Sequence, residues 1–203
     1  VWQHAGGGGA QASSTLIPLI VQLMAQAGLE FGQLDAIAFG RGPGSFTGLR
    51  VACGVAQGLA FAHGLPVLPV GTLEAMAAAV PASHVAVCLD ARMNEVYYGQ
   101  FIDGLAIAPI GVYPPASVPL PQGEGWVAAG NALAAYPALL ERLQGSVARL
   151  QPESMPAAAA VARLAAPRLE RAEGIDAGDA LPVYVRDKVA FTTAERLAQG
   201  GKA

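Results

Sequence analysis

Apolar residues recur along this chain at two rhythms, and the switches between them mark the elements. From Ser13 to Ala27 they keep a helical period. Leu16, Leu19, Ile20, Leu23 and Ala27 form one stripe, and Ile17, Ile20, Val21 and Met24 an adjoining one. Together the stripes cover about 200° of the wheel, roughly twice the apolar face of an ordinary surface helix. Such a helix is expected to be covered on two sides. Ser13, Ser14 or Thr15 can cap its start, Pro18 falls near its first turn, and Gly28 ends it. Leu34–Phe39 reads as a short strand, followed by a tight loop, "GRGPGSFTGLR", over Gly40–Arg50. Thr47 or Ser45 can cap the next helix, which runs to about His63. Within it Ala52, Ala56 and Ala60 fall four apart, as do Gly54 and Gly58, a spacing that lets two helices approach closely. Pro66–Val70 predicts a second strand and Thr72–Ala79 a short helix with Thr72 as its N-cap. This alternation argues for a parallel α/β sheet.

A second block starts near Ser83. "HVAVCLD" predicts a buried strand ending at Asp90, and Glu95–Phe101 alternates as its hairpin partner across Ala91–Asn94. Leu105–Val112 predicts a third strand, Pro114–Gln122 a proline-rich loop, and "GWVAAG" another strand. Helical stretches follow near Asn131–Leu143 and Met155–Glu173, and Leu181–Arg186 closes the pattern. The expected division is an N-terminal subdomain over residues 1–81, a second over 82–181 and a C-terminal segment over 182–203, with Gly6–Gly9 as a flexible loop.

Composition narrows the function classes. The chain has 203 residues, 53% apolar and 13% charged, enough for one large or two small cores. Much of the apolar share is alanine. The longest weakly charged stretch, Val51–Val70, is broken by Gln57, His63, Gly64 and Pro66, so no membrane span is expected, and no signal peptide reads at the start. Net charge is −3 and the twelve basic residues are scattered, with only Lys188, Arg196 and Lys202 in the tail. Direct tight binding of nucleic acid is not expected. Cys53 and Cys88 lack metal-ligand spacing and read as buried reduced thiols, as in a reducing cytoplasm.

The glycine loop invites a phosphate-binding reading, but the sharper motifs fail. No lysine lies before residue 188, Thr47 interrupts G-x-G-x-x-G, and Pro43 and Ser45 are misplaced for a nucleophile elbow. A structural turn is the favoured reading. His4, His63 and His84 lie far apart and form no ligand pair. Ser83 and His84 are strand neighbours and point to opposite faces, which argues against a triad with Asp90. Asp90, Arg92 and Glu95 form the one polar cluster of interest, read either as a strand-end functional site or as a structural ion pair. No catalytic residue, metal ligand or cofactor is assigned.

Four segments in order, "LDAIAFGRGPGSFTGLR", "GLAFAHGLPVLPVGTLEAMA", "LDARMNEVYYGQF" and "PVYVRDKVAF", resemble the TsaB (YeaZ) family of tRNA threonylcarbamoyladenosine biosynthesis proteins. The resemblance runs from Ser13 to Phe191. It implies the α/β fold of the actin-like, Hsp70-like ATPase class, with two related ribonuclease-H-like subdomains. It also implies a cytoplasmic, non-catalytic subunit that supports the transferase TsaD, joined by the ATPase TsaE, with a homodimer possible when alone and tRNA held only through the complex. The partner interface is expected on the two apolar helices, at Leu16, Ile17, Ile20, Val21, Leu23 and Met24 of the first and Ala52, Gly54, Ala56, Gly58 and Ala60 of the second. The family motif loop maps to Arg41, Gly42, Pro43, Gly44, Ser45, Phe46, Thr47, Gly48 and Arg50. The family's opening strand and hairpin, with a motif like "LALDTS", has no counterpart, so the first subdomain is expected to lack N-terminal strands. The paralogue's histidine pair on the first helix has no counterpart either. The alternative is a nucleotide-hydrolysing or kinase-like enzyme of the same fold class.

Overall fold

A computed structural model describes residues 1–6 and 12–186. Most of the glycine run, and the tail from Asp187 onward with Lys188, Arg196 and Lys202, lie outside the described residues. Helix α1 spans Ala12–Ala27 and ends at Gly28, whose φ of +65° suits glycine. A short 3-10 turn, Phe31–Gln33, follows.

Strand β1 is Ile37–Gly42, displaced from the expected Leu34–Phe39. The first two glycines of the loop continue the strand, because Gly40 and Gly42 pair with Val70 and Gly71 of β2, Val67–Gly71. Only Pro43–Ser45 remains as the connecting bend. Ser45 is the N-cap of α2, Phe46–His63, and its hydroxyl accepts the Gly48 amide at 3.4 Å. Gly64, at φ +64°, ends that helix. In α3, Thr72–Ala79, the N-cap is Gly71 rather than Thr72. Thr72 is the first helical residue, and its side chain is buried instead of capping.

β1 and β2 form a parallel pair, and among the described residues no further strand joins them. The second sheet is mixed. β3, His84–Asp90, and β4, Val96–Ile102, run antiparallel in unbroken register from His84↔Ile102 to Asp90↔Val96. The expected strand Leu105–Val112 is split into β5, Leu105–Ala106, and β6, Gly111–Tyr113, both on the outer edge of β4. Pro109 lies between them and has no N–H for a ladder. β7, Val127–Ala129, pairs parallel with β3, and β8, Arg149–Gln151, extends the sheet beyond it. The expected helix over Asn131–Leu143 is two short ones, α4 Ala132–Ala135 and α5 Pro137–Leu143. Pro137 forces Tyr136 into an extended conformation, φ −130° and ψ 101°, and so divides them. The last helix, α6, is Ala158–Glu170, shorter at both ends than Met155–Glu173.

Apolar side chains fill both faces of each sheet. Phe39 packs with Cys53, Ala56 and Ala60 on the α2 side of β1, while Leu68 and Val70 meet Ala160, Val161 and Ala165 of α6 on the other. In the second sheet Trp126 is buried among Cys88, Tyr98, Leu133, Leu139 and Leu143, with its indole N–H donating to the Gln122 carbonyl at 2.9 Å. Gly130, at φ +130°, lies so close to the Cys88 carbonyl that a Cβ there would collide with it. The chain then crosses back. α6 packs on β1, β2 and α3, and Ile175 bridges to Val67.

Candidate partner-binding site

Helix α1 rests on α2. Between α1, β1, α2 and α6 lies an open cleft of about 790 Å³. Leu16, Leu19, Ile20 and Leu23 line it from α1, Ala52, Val55, Ala56 and Leu59 from α2, and alanines of α6 from below. This is the first of the two stripes in the sequence, and it is half-buried. The second stripe divides: Met24 is half-buried, whereas Ile17 is 53% and Val21 51% exposed. Two β-branched residues displayed to solvent on a helix already packed on one side are an unpartnered apolar surface.

The small residues of α2 also separate. Ala56 and Ala60 are enclosed with Phe39 and Val67, and Ala52 packs against that cluster. Ala56 and Ala60 thus hold α2 on its own sheet, while Ala52, half-buried, also lines the cleft beneath α1. Gly54 and Gly58 lie on the opposite face, where a methyl group would meet nothing within 4 Å. Phe61, three residues beyond Gly58, is 85% exposed and completes that face. The sequence spacing pairs only Gly54 with Gly58, four apart; Phe61, seven residues after Gly54, shares their helix face and lies within reach of the same periodicity.

The motif loop is distributed over three elements. Arg41 and Gly42 close β1, and the Arg41 carbonyl accepts the Val183 amide at 2.7 Å. Pro43, after a cis peptide bond, and Gly44 turn the chain. Phe46, Thr47, Gly48 and Arg50 form the opening of α2. The Arg50 guanidinium lies 3.8 Å from the Phe46 ring centroid and 5.9 Å from that of Tyr184, and its Nε–H donates to the Tyr184 hydroxyl at 3.0 Å. Tyr184 comes from the described start of the C-terminal segment, residues 182–186. The Ala180 carbonyl receives the Cys53 thiol and the Gln57 side-chain amide. No local spacing in the sequence announces these contacts.

In the polar cluster on the β3–β4 hairpin both carboxylates are paired, while Arg186 Nε is buried without a hydrogen-bond partner among the described residues. Asp90 accepts the Arg92 amide at 2.8 Å and the Tyr136 hydroxyl at 2.7 Å on one oxygen, and pairs with the Arg92 guanidinium at 3.0 Å through the other. Glu95 pairs with Arg186, which also donates to the carbonyls of Ala91 and Arg92. Arg92, Met93 and Asn94 all have positive φ, so the hairpin turn is held in a conformation that side chains rarely adopt. Both carboxylate oxygens of Asp90 are therefore engaged within the hairpin and α4–α5 junction. Burial raises the Cys88 thiol far above its usual range, in keeping with an inert core position. Among the described residues no group of three or more His, Cys, Asp or Glu side chains is placed to hold a metal ion, and no helix is long and apolar enough to cross a membrane.

Comparisons with known proteins follow the same outline. The family profile described as TsaD, tRNA N6-adenosine threonylcarbamoyltransferase, matches residues 9–107. The tRNA threonylcarbamoyladenosine biosynthesis protein TsaB of Escherichia coli K12 is 33% identical over 188 residues, 87% of this chain and 81% of its own length. The protein of the same name from Haemophilus influenzae is 53% identical over 91 residues, 43% of this chain and 39% of its own length. That matched stretch therefore spans less than half of the Haemophilus protein. Among solved structures, YeaZ from Pseudomonas aeruginosa superposes with a TM-score of 0.81 at 37% identity, covering 89% of this chain and 87% of that one. A second Pseudomonas aeruginosa structure, of an uncharacterized protein with similarity to peptidase YEAZ, gives 0.78 at 38% identity, covering 85% and 83%.

Proposed function

The chain belongs to the TsaB (YeaZ) family, and from that premise we propose that it is a non-catalytic, cytoplasmic subunit of the assembly that forms threonylcarbamoyladenosine in tRNA. Its α/β architecture is that of the actin-like, Hsp70-like ATPase class. The subunit docks on and supports TsaD, TsaE joins the larger assembly, and tRNA is held through the partners. One observation carries this reading: two packed helices display Ile17, Val21, open glycines at 54 and 58, and Phe61 to solvent. A partner helix can approach such a face closely, and burying its apolar groups drives association. The satisfied Asp90 cluster supports a structural rather than a catalytic role for the strand-end carboxylate.

The test is a pair of double variants. Ile17→Arg with Val21→Arg should leave circular dichroism and melting unchanged yet abolish capture of TsaD in a pull-down. Leu16→Arg with Leu23→Arg places charge in the apolar cleft and should destabilise the fold. The reading fails if the first variant still binds TsaD as the unaltered chain does.

A further inference from the structure

Arg50 stands out among the guanidinium groups of the described residues by the two aromatic rings gathered on it; Arg41, Arg142, Arg149 and Arg163 likewise pair with no carboxylate, but no ring packs on them. Arg92, Arg168, Arg171 and Arg186 are each held by a carboxylate, from Asp90, Glu74, Glu173 and Glu95 respectively. Arg50 is held by uncharged groups: the flat face lies on Phe46, the Tyr184 ring flanks it, and its Nε–H is committed to the Tyr184 hydroxyl. The Phe46 and Tyr184 rings sit 5.6 Å apart by centroid, so the three side chains form one exposed cluster. No carboxylate among the described residues pairs with Arg50. Its two terminal nitrogens are therefore the part of the fork left without a commitment, and its rotamer is already set. An arginine organised in this way loses little freedom on binding, and the planar pair of N–H donors matches a carboxylate in bidentate fashion. Its position on α2 gives the feature direction. Arg50, Gly54 and Gly58 follow one another at four-residue steps, with Phe61 one turn further, so the cation and the aromatic ring stand at opposite ends of the open glycine face.

We propose that Arg50 receives an aspartate or glutamate carboxylate from the partner docked on α2, and so fixes the direction in which the partner lies along that helix. This rests on the docking role proposed above. Glycines and an exposed phenylalanine give attraction without polarity, since an apolar face accepts a partner helix in either direction. A single preorganised cation at one end breaks that symmetry, because a partner seated the wrong way would leave its own carboxylate without a counterion.

The experiment measures binding of purified TsaD to the full chain at low and high salt, for the unaltered protein and for Arg50→Ala, Arg50→Lys, Tyr184→Phe and the Ile17→Arg/Val21→Arg pair. Arg50→Ala should weaken binding about tenfold or more and flatten the salt dependence. Arg50→Lys should recover little of the loss, because an ammonium keeps the charge but not the fork. Tyr184→Phe keeps the ring and removes only the hydroxyl that orients Nε, and should weaken binding by a smaller factor. Melting temperatures serve as the folding control. If Arg50→Ala proves unstable, Arg50→Lys and Tyr184→Phe decide the matter. Undiminished affinity and an unchanged salt slope in Arg50→Ala, or in both of those two where it is unstable, would overturn the role of Arg50 while leaving docking intact. If the unaltered chain does not bind TsaD at all, both proposals fall.

Discussion

Asp90 and Tyr136 show how much one strand-end contact can carry. Burial first, and then the hydrogen bond it donates to Asp90, push the Tyr136 phenol from 10.0 up to about 12. The unfolded chain would ionise this phenol near its ordinary value, whereas the folded chain keeps the proton longer. Its stabilising contribution is therefore complete below about pH 10 and is lost as pH rises through about 12. Denaturant midpoints should fall across that alkaline window, and Tyr136→Phe should show a shallower fall. The remainder comes from the Tyr98 phenol and the Cys88 and Cys53 thiols, which burial also raises. Parallel curves for the two proteins would count against the assignment. The sequence placed Asp90, Arg92 and Glu95 together but left their role open. Tyr136 and Arg186 engage the two carboxylates, and both arrive from far along the chain, where no spacing rule reaches.

At the scale of elements, periodicity served well where one face dominates. α1, α2, β3 and β4 stand close to where their apolar rhythms put them. It failed for short pieces set by local chemistry: Pro137 divides one helix, Pro109 accompanies the split of one strand, and β8 has three residues and no rhythm to read. The two small-residue series of α2 were indistinguishable in sequence, since both repeat every four residues. Only the packing of Phe39 and Val67 shows that the alanines face inward and the glycines outward. That division makes a prediction about the glycines. Gly54→Ala and Gly58→Ala meet no neighbour, so each should stabilise the isolated chain by about 0.5–1 kcal/mol through the unfolded state. The same changes should weaken capture of TsaD, because added methyl groups hold a partner helix off. Thermal melts and pull-downs on the same preparations check both halves. A gain in stability with no loss of capture would remove the glycines from the interface.

For the molecule as a whole, the order of elements in the sequence is not the order in which their contacts become available. The second sheet is built from residues 84–151, an uninterrupted stretch. The first sheet lies earlier in the chain, yet one of its faces is covered by α6, and Val67 finds its bridge only at Ile175. Loop closure over so long a separation is slow compared with forming the β3–β4 hairpin. Refolding followed by pulsed hydrogen exchange should therefore protect β3 and β4 amides before those of β1 and β2, and simultaneous protection would contradict it. On the ribosome the consequence is sharper. A nascent chain emerges from its N-terminus, and domains ordinarily fold in that order. Here the first sheet emerges without α6, its Leu68 and Val70 face uncovered while almost a hundred further residues are made. The first sheet is thus made before the second and completed after it, and that interval is when chaperones would have to guard its open face.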